Sequence, residues 1–212
     1  MRIYPPESIS RMLLFNPISK HGISHSMKKM NLILASASPR RSELLSLIQP
    51  DFEIQVSGID ETIHSNETPI AYAERLAEEK AASIKDAHHN LILAADTIVA
   101  LHQHILGKPK DPSDAIHMLT QLSHTSHHVI TGVSLRTHKK IETFSVITEV
   151  TFRNLHPAEI EAYVATGCPM DKAGAYAIQG GAAPFVRSIN GSYTNVVGLP
   201  LCEVSEALSR YQ

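Results

Sequence analysis

Ten consecutive residues, Phe144 to Arg153, alternate along the chain, and they narrow the fold more than any other stretch. Phe144, Val146, Thr148, Val150 and Phe152 fall on one face of an extended backbone. A period of two held over ten residues predicts a long, half-buried strand. The other strands read differently. Asn31 to Ala35 and Leu91 to Ala95 are short apolar runs, expected as buried strands, the second leading through Asp96 and Thr97 into Ile98 to Leu101. Phe52 to Val56 and Val129 to Arg136 complete the set, the latter interrupted by Gly132.

Helices are expected between them. Ser38 reads as an N-cap with Pro39 at the first helical position, and that helix runs to Ile48. A long helix spans 70–87, with Leu76, Ala77, Lys80, Ala81 and Ile84 along one side. Asp111 and Pro112 open another, striped by Ala115, Met118, Leu119 and Leu122. Two more cover 157–166, stopped at Gly167, and 199–211. Residues 171–198 read as a glycine-rich stretch with short strands, and Gly191 to Asn195 as a polar turn. One long strand among irregularly mixed elements argues against a regular doubly wound fold. The expected architecture is α/β or α+β, with a mixed, extended sheet.

The 212 residues suit one large or two small domains. Residues 1–29 differ from the rest, with Pro5, Pro6, Pro17, several serines and five cations. Their apolar run, Met12 to Phe15, is shorter than the roughly 7 residues of a secretory core. They read as a poorly ordered extension, with Met27 and Met30 as alternative starts, and residues 30–212 as the folded domain. A formal net charge of −2 gives no basic footprint for long nucleic acid, so an anionic ligand must be held by a few local cations. No apolar run reaches the roughly 18 residues of a membrane span. Two cysteines, Cys168 and Cys202, fit partly buried, reduced thiols and a cytoplasmic protein.

Five places could carry chemistry. At Ser36-Ala-Ser-Pro-Arg40-Arg41 a strand feeds a helix start, whose free N–H groups and positive dipole end favour an anion. The forked guanidinium donors of Arg40 and Arg41 suit phosphate, although a plain helix cap with solvated arginines fits as well. Asp96 lies at the end of an apolar strand, where a carboxylate is costly unless paired. It is a candidate general base or metal ligand, or else a capping residue. Glu61, beside Asp60 in a polar loop, is the oxygen ligand that could join Asp96 on Mg²⁺. Lys80 sits on the apolar side of its helix, where its ammonium must snorkel or meet an anion, and Lys108 lies between Gly107 and Pro109. Finally, Asp171 to Gly181 combines three glycines with Asp171, Lys172 and Gln179, whose amide could read the edge of a base. The 13 histidines show no metal-site spacing and read as solvated. Phosphate-loop, dinucleotide and serine-hydrolase signatures are absent.

Four ordered motifs together resemble the Maf family of nucleotide pyrophosphatases, over roughly residues 30–208. They are Leu-Ala-Ser-Ala-Ser-Pro-Arg-Arg at 34–41, Ala-Ala-Asp-Thr at 94–97, Gly-Lys-Pro-Lys-Asp at 107–111 and Asp-Lys-Ala-Gly-Ala-Tyr-Ala-Ile-Gln-Gly at 171–180. The resemblance implies a curved mixed sheet dividing two lobes, with a nucleotide in the cleft between them. It implies cleavage between the α and β phosphates, a divalent metal (Mg²⁺ or Mn²⁺) and a possible homodimer. The family's catalytic aspartate falls on Asp96, and its substrate-discriminating residues on Arg41, Thr97 and Gln179. Other polar cleft positions correspond to Ser36, Glu61, Lys80, Lys108 and Asp171. The last motif is similar to the branch acting on dTTP and UTP. A modified nucleotide such as 7-methyl-GTP, or a non-catalytic regulator of division, are the other readings. The extension and the stretch Gly181-Ala-Ala-Pro184 depart from the family pattern.

Overall fold

The computed structural model describes residues 30–56, 58–85 and 87–211, and the expected extension at 1–29 lies outside them. The chain runs β1 (Asn31–Leu34), α1 (Pro39–Ser46), β2 (Glu53–Ile54), α2 (Pro69–Ser83), β3 (Asn90–Leu101), β4 (His104–Leu106), α3 (Pro112–Leu122), β5 (Ser126–Arg136), β6 (Ile141–Phe152), α4 (Pro157–Ala165), β7 (Val186–Asn190), α5 (Tyr193–Val197) and α6 (Leu201–Ser209). The strands form a seven-stranded mixed sheet in the order β2-β1-β3-β5-β6-β7, with β4 added to β3. β2, β1 and β3 are parallel, and every other pairing is antiparallel. The mixed α/β architecture expected from the sequence is present.

β3 organises the sheet. Along one edge its first half pairs with β1, from Asn31↔Asn90 to Leu34↔Leu93. Its last residues pair on that edge with β4, beginning at Val99↔Leu106. Between them, among the described residues, no strand lies beside 94–98 on that side, and the sheet opens into a notch. The other edge is unbroken, since β5 pairs with β3 from Ile92 to Ala100. A crevice where parallel pairing gives out, beyond the carboxyl end of β1, is where open α/β sheets place ligands.

Side-chain alternation along β3 assigns the two faces. Leu91, Leu93 and Ala95 pack with α1 and α6, and Val99 with α3 and α4. Ile92, Ala94, Ile98 and Ala100 face α2. The clusters that include Val99 and Leu93 are the cores of two lobes on either side of the notch. Gly132 of β5 is what lets α2 lie so close. A Cβ there would run into the carbonyl of Ala73 and come within 2.7 Å of the Glu74 nitrogen.

The starts of α2 and α3 follow their capping chemistry. Thr68 Oγ1 accepts from the Ala71 N–H at 3.2 Å, and Asp111 Oδ1 from the Asp114 N–H at 2.8 Å, each followed by proline at the first position. Among the described residues no helix is long and apolar enough to cross a membrane.

Several expectations are corrected. The runs on either side of Asp96 are one 12-residue strand, so Asp96 lies mid-strand, not at a strand end. A carboxylate after an apolar run reads as a strand end; pairing with β5 from Ile92 to Ala100 carries the strand through it. Gly132 likewise does not interrupt β5. The long helix stops at Ser83, because Ile84 turns extended to bury its side chain beside Ala87. Strand β2 shrinks to Glu53–Ile54, and β4 was not anticipated. Residues 171–198 hold one strand and three short helical turns, and the expected polar turn at Gly191 to Asn195 leads into α5.

Candidate active site

The notch opens onto a cleft of about 1350 Å³. Nine of the ten candidate residues line it: Arg40, Arg41, Glu61, Lys80, Asp96, Thr97, Lys108, Asp171 and Gln179. Ser36 is buried behind Arg41. Asp96 and Thr97 are adjacent on a strand, so they point to opposite faces of the sheet. Each therefore gathers its own set of partners, and the notch joins the two sets.

On the α2 face, Asp96 is 8% exposed. The Lys80 ammonium pairs with Asp96 Oδ1 and, at 2.8 Å, with Glu61 Oε1. The awkward lysine on the apolar side of its helix thus meets two carboxylates and bridges them. Partial burial raises the affinity of Glu61 for a proton, but hydrogen bonding to Lys80 and the charges of Lys80, Lys108 and Arg41 outweigh it. The Glu61 carboxyl ends below its ordinary range and stays ionised.

On the opposite face, Arg41 is fixed at all three nitrogens. Nε donates to the Gly198 carbonyl at 2.9 Å, Nη1 to Ser36 Oγ at 3.3 Å and Nη2 to Thr97 Oγ1 at 3.1 Å. Thr97 Oγ1 lies 2.9 Å from Thr131 Oγ1, its partner directly across β5. Burial lowers the Arg41 pKa, with Arg40 adding to the effect and Asp96 opposing it. The side chain of Arg40, one residue earlier, makes no hydrogen bond among the described residues and lines the cleft. The expected Ser38 cap is not made. Ser38 is the N-cap of α1, but its side chain accepts no cap hydrogen bond, and its own N–H is taken by Ser36 Oγ at 3.2 Å. With no acidic residue in the first turn, the start of α1 faces the cleft as a positive dipole end beside two arginines.

The far wall is the segment 171–180. The Gly174 N–H donates to the Gly107 carbonyl at 3.0 Å, tying this wall to the loop that carries Lys108. Gly174 sits at φ +66 with the Val99 side chain 2.9 Å from where a Cβ would be, so glycine is required on both counts. Asp171 pairs with the neighbouring Lys172, whose hydrogen bond lowers its pKa, and is largely exposed. Gln179 is exposed at the cleft mouth.

Sequence reading missed Tyr72, Thr131, Tyr176 and Asn195. Tyr72 could have been found, since it lies two helical turns before Lys80 on one face of α2. Thr131 and Asn195 gave no signal, because only strand register and the packing of α5 bring them in. Asn195 is buried, and its Nδ2 donates to the Val129 carbonyl at 3.0 Å and to Thr148 Oγ1 at 2.9 Å. Both cysteines are exposed, not partly buried.

His127 is not solvated as expected. It is 1% exposed, 2.8 Å from the Tyr176 hydroxyl behind the cleft wall. Burial, with His128 adding to it, pushes its pKa down to about 4, so it is neutral when folded and binds protons more readily when unfolded. The stability it contributes is present above its unfolded pKa of about 6.5 and is lost as pH falls toward 4. Urea midpoints should therefore fall over that window, as the free energy of unfolding drops by an amount on the order of 3 kcal/mol. His127→Gln, which does not titrate but keeps a polar partner for Tyr176, should flatten this slope.

Residues 31–211 match the family described as Maf-like protein. The chain belongs to the Maf family. Among curated Maf relatives, a protein named dTTP/UTP pyrophosphatase from Geobacter sulfurreducens is 52% identical, covering 87% of this chain and 98% of its own length. Another of that name, from Geotalea uraniireducens, is 51% identical over 86% of this chain and 95% of its own. One from Yersinia pestis is 49% identical, over 85% and 92%. Among solved structures, the Staphylococcus aureus Ham1 protein is a distant likeness, with a TM-score of 0.49 and 14% identity, covering 86% of this chain and all of that one. The cleft residues all lie within the span that matches the Maf family.

Proposed function

We propose that the chain hydrolyses dTTP and UTP to the monophosphate and pyrophosphate. The observation that carries this reading is Asp96, a buried carboxylate in the sheet's notch, opposite arginine donors and a helix start across one cleft. The names of relatives about half identical over nearly their whole length support the substrates.

Lys80 engages Asp96 Oδ1, which leaves Oδ2 to take a proton from the attacking water. The water oxygen bonds to the α phosphorus, and the bond to the oxygen bridging α and β phosphorus breaks. Arg41 is held by Ser36, Thr97 and Gly198, so it fixes the floor under the phosphates. Among the described residues that line the cleft, Arg40 and Lys108 have side chains without a hydrogen bond or ion pair and are placed to meet them. In this reading Gln179, exposed at the cleft mouth, and Thr97, beside Arg41, discriminate the pyrimidine.

Glu61 and Asp96 fit a hard divalent cation such as Mg²⁺ or Mn²⁺. Both offer carboxylate oxygens, and Lys80, a cation itself, already lies between them. No group of three potential ligand residues occurs among the described residues, so nucleotide oxygens would complete the shell. The cation would neutralise charge on the phosphates and on departing pyrophosphate.

A panel of nucleoside triphosphates, assayed with Mg²⁺ and with Mn²⁺, tests the reading. Turnover of dTTP and UTP above the others is the expected result. Turnover of a methylated purine alone would overturn the role of Gln179, and no turnover would overturn the enzyme. Arg40→Ala should raise KM about 10- to 100-fold, the worth of one charged hydrogen bond.

A further inference from the structure

The Glu61 side chain is 46% exposed on a loop, yet it meets Lys80 in a defined place. Two residues of α2 hold that loop by its backbone. The Tyr72 hydroxyl donates to the Glu61 carbonyl at 2.7 Å, and Arg75 Nη2 donates to the next carbonyl, Thr62, at 3.0 Å. Asp60 Oδ1 tightens the turn between them, accepting from the Thr62 N–H at 2.9 Å and its hydroxyl at 2.6 Å.

The two clamping residues are themselves fixed. Arg75 Nε and Nη2 grip the two oxygens of Glu67 at 2.6 and 2.9 Å, and Nη1 reaches Glu79 at 3.2 Å. The guanidinium carbon lies 5.4 Å from the centre of the Tyr72 ring. Hydrogen bonding from Arg75 holds the Glu67 carboxyl down to about 2, so the pair stays charged throughout neutral pH. Burial, with Asp96 and Glu61 adding to it, pushes the Tyr72 phenol up to about 12, so it remains a donor. Tyr72, Leu76 and Lys80 recur every four residues on one face of α2. One helix face therefore supplies both the ammonium that bridges Glu61 and Asp96 and the hydroxyl that fixes the Glu61 backbone.

We infer that Tyr72 and Arg75 are positioning residues that hold Glu61 opposite Asp96 and so set the affinity of the site for a divalent cation. This rests on the reading of Glu61 as a ligand. A loop released from its clamp must be ordered each time the cation binds, and that entropy is subtracted from the affinity. Outer partners of metal ligands act in this way.

The test is Mn²⁺ binding to the full-length protein with a saturating non-hydrolysable dTTP analogue, followed by the electron paramagnetic resonance of free Mn²⁺ and compared with the analogue alone. The Kd should rise about fivefold in Tyr72→Phe, which loses one neutral hydrogen bond, and about tenfold in Arg75→Gln. Tyr72→Phe keeps the buried ring, so it carries the test if Arg75→Gln does not fold. In a Glu61→Gln background, Tyr72→Phe should add nothing, because its effect passes through Glu61. If Glu61→Gln weakens Mn²⁺ binding but Tyr72→Phe does not, or if Tyr72→Phe acts equally with and without the Glu61 carboxylate, the positioning role is wrong. If Glu61→Gln itself leaves Mn²⁺ binding unchanged, the ligand reading fails, and the inference with it.

Discussion

Asp96→Asn is expected to lower kcat by about 10²- to 10⁴-fold, the range for loss of a general base. The substitution keeps the shape of the side chain and removes its basicity. Lys80 loses one anionic partner but retains Glu61 at 2.8 Å, so no ammonium is left buried and alone. Asp96 lies mid-strand, with its backbone paired to Gly132, and that pairing does not depend on the side chain. The fold should therefore persist, with Tm within a few degrees of the parent. Binding of a non-hydrolysable triphosphate should be equal or tighter in the absence of metal, because a negative charge has left the cleft. Turnover within tenfold of the parent would remove Asp96 from the chemistry, and a collapse of Tm would give it a structural role instead.

The second large effect is on stability. Gly132→Ala should cost at least about 3 kcal/mol, at the upper end of overpacking substitutions. The new Cβ meets the backbone of Ala73 and Glu74, which cannot swing aside as a side chain would. Helix α2 must lift from the sheet and loosen the contacts of Tyr72, Ala73 and Leu76 with Ile98 and Ile130. In a chain of this length such a loss lowers Tm by about 6–12 °C. The same helix carries Tyr72, Arg75 and Lys80, so kcat should fall with stability although Gly132 makes no contact with the cleft. An unchanged Tm and kcat would mean that α2 is free to move outward at no cost.

The elements with strong local signals were legible in the sequence. The alternation at Phe144 to Phe152, the Asp111-Pro112 cap and the apolar runs of β1 and β3 each follow from local chemistry. The candidate residues that line the cleft were legible as a set: the four motifs hold all of them but Glu61 and Lys80, which stood out as an acid in a polar loop and a lysine on an apolar helix side. Their arrangement was not. That Asp96 and Thr97 serve opposite faces of the sheet depends on one continuous strand, whereas a carboxylate at 96 reads as a strand end. The notch depends on β4, three residues whose strand character comes from pairing with β3 and not from their own propensity. His127 resembled its solvated neighbours, because burial at 1% and exposure at His128 differ only in which way a strand residue points. The Arg75 clamp was invisible for a similar reason: an arginine on a helix gives no hint of which loop carbonyl it will meet.

The most direct test of the account is hydrolysis of dTTP in ¹⁸O-labelled water, with both products analysed by mass spectrometry. Attack at the α phosphorus predicts one labelled oxygen in thymidine monophosphate and none in pyrophosphate. Label in the pyrophosphate, or release of inorganic phosphate with the diphosphate, would place the attack at another phosphorus and contradict the arrangement of the cleft around Asp96.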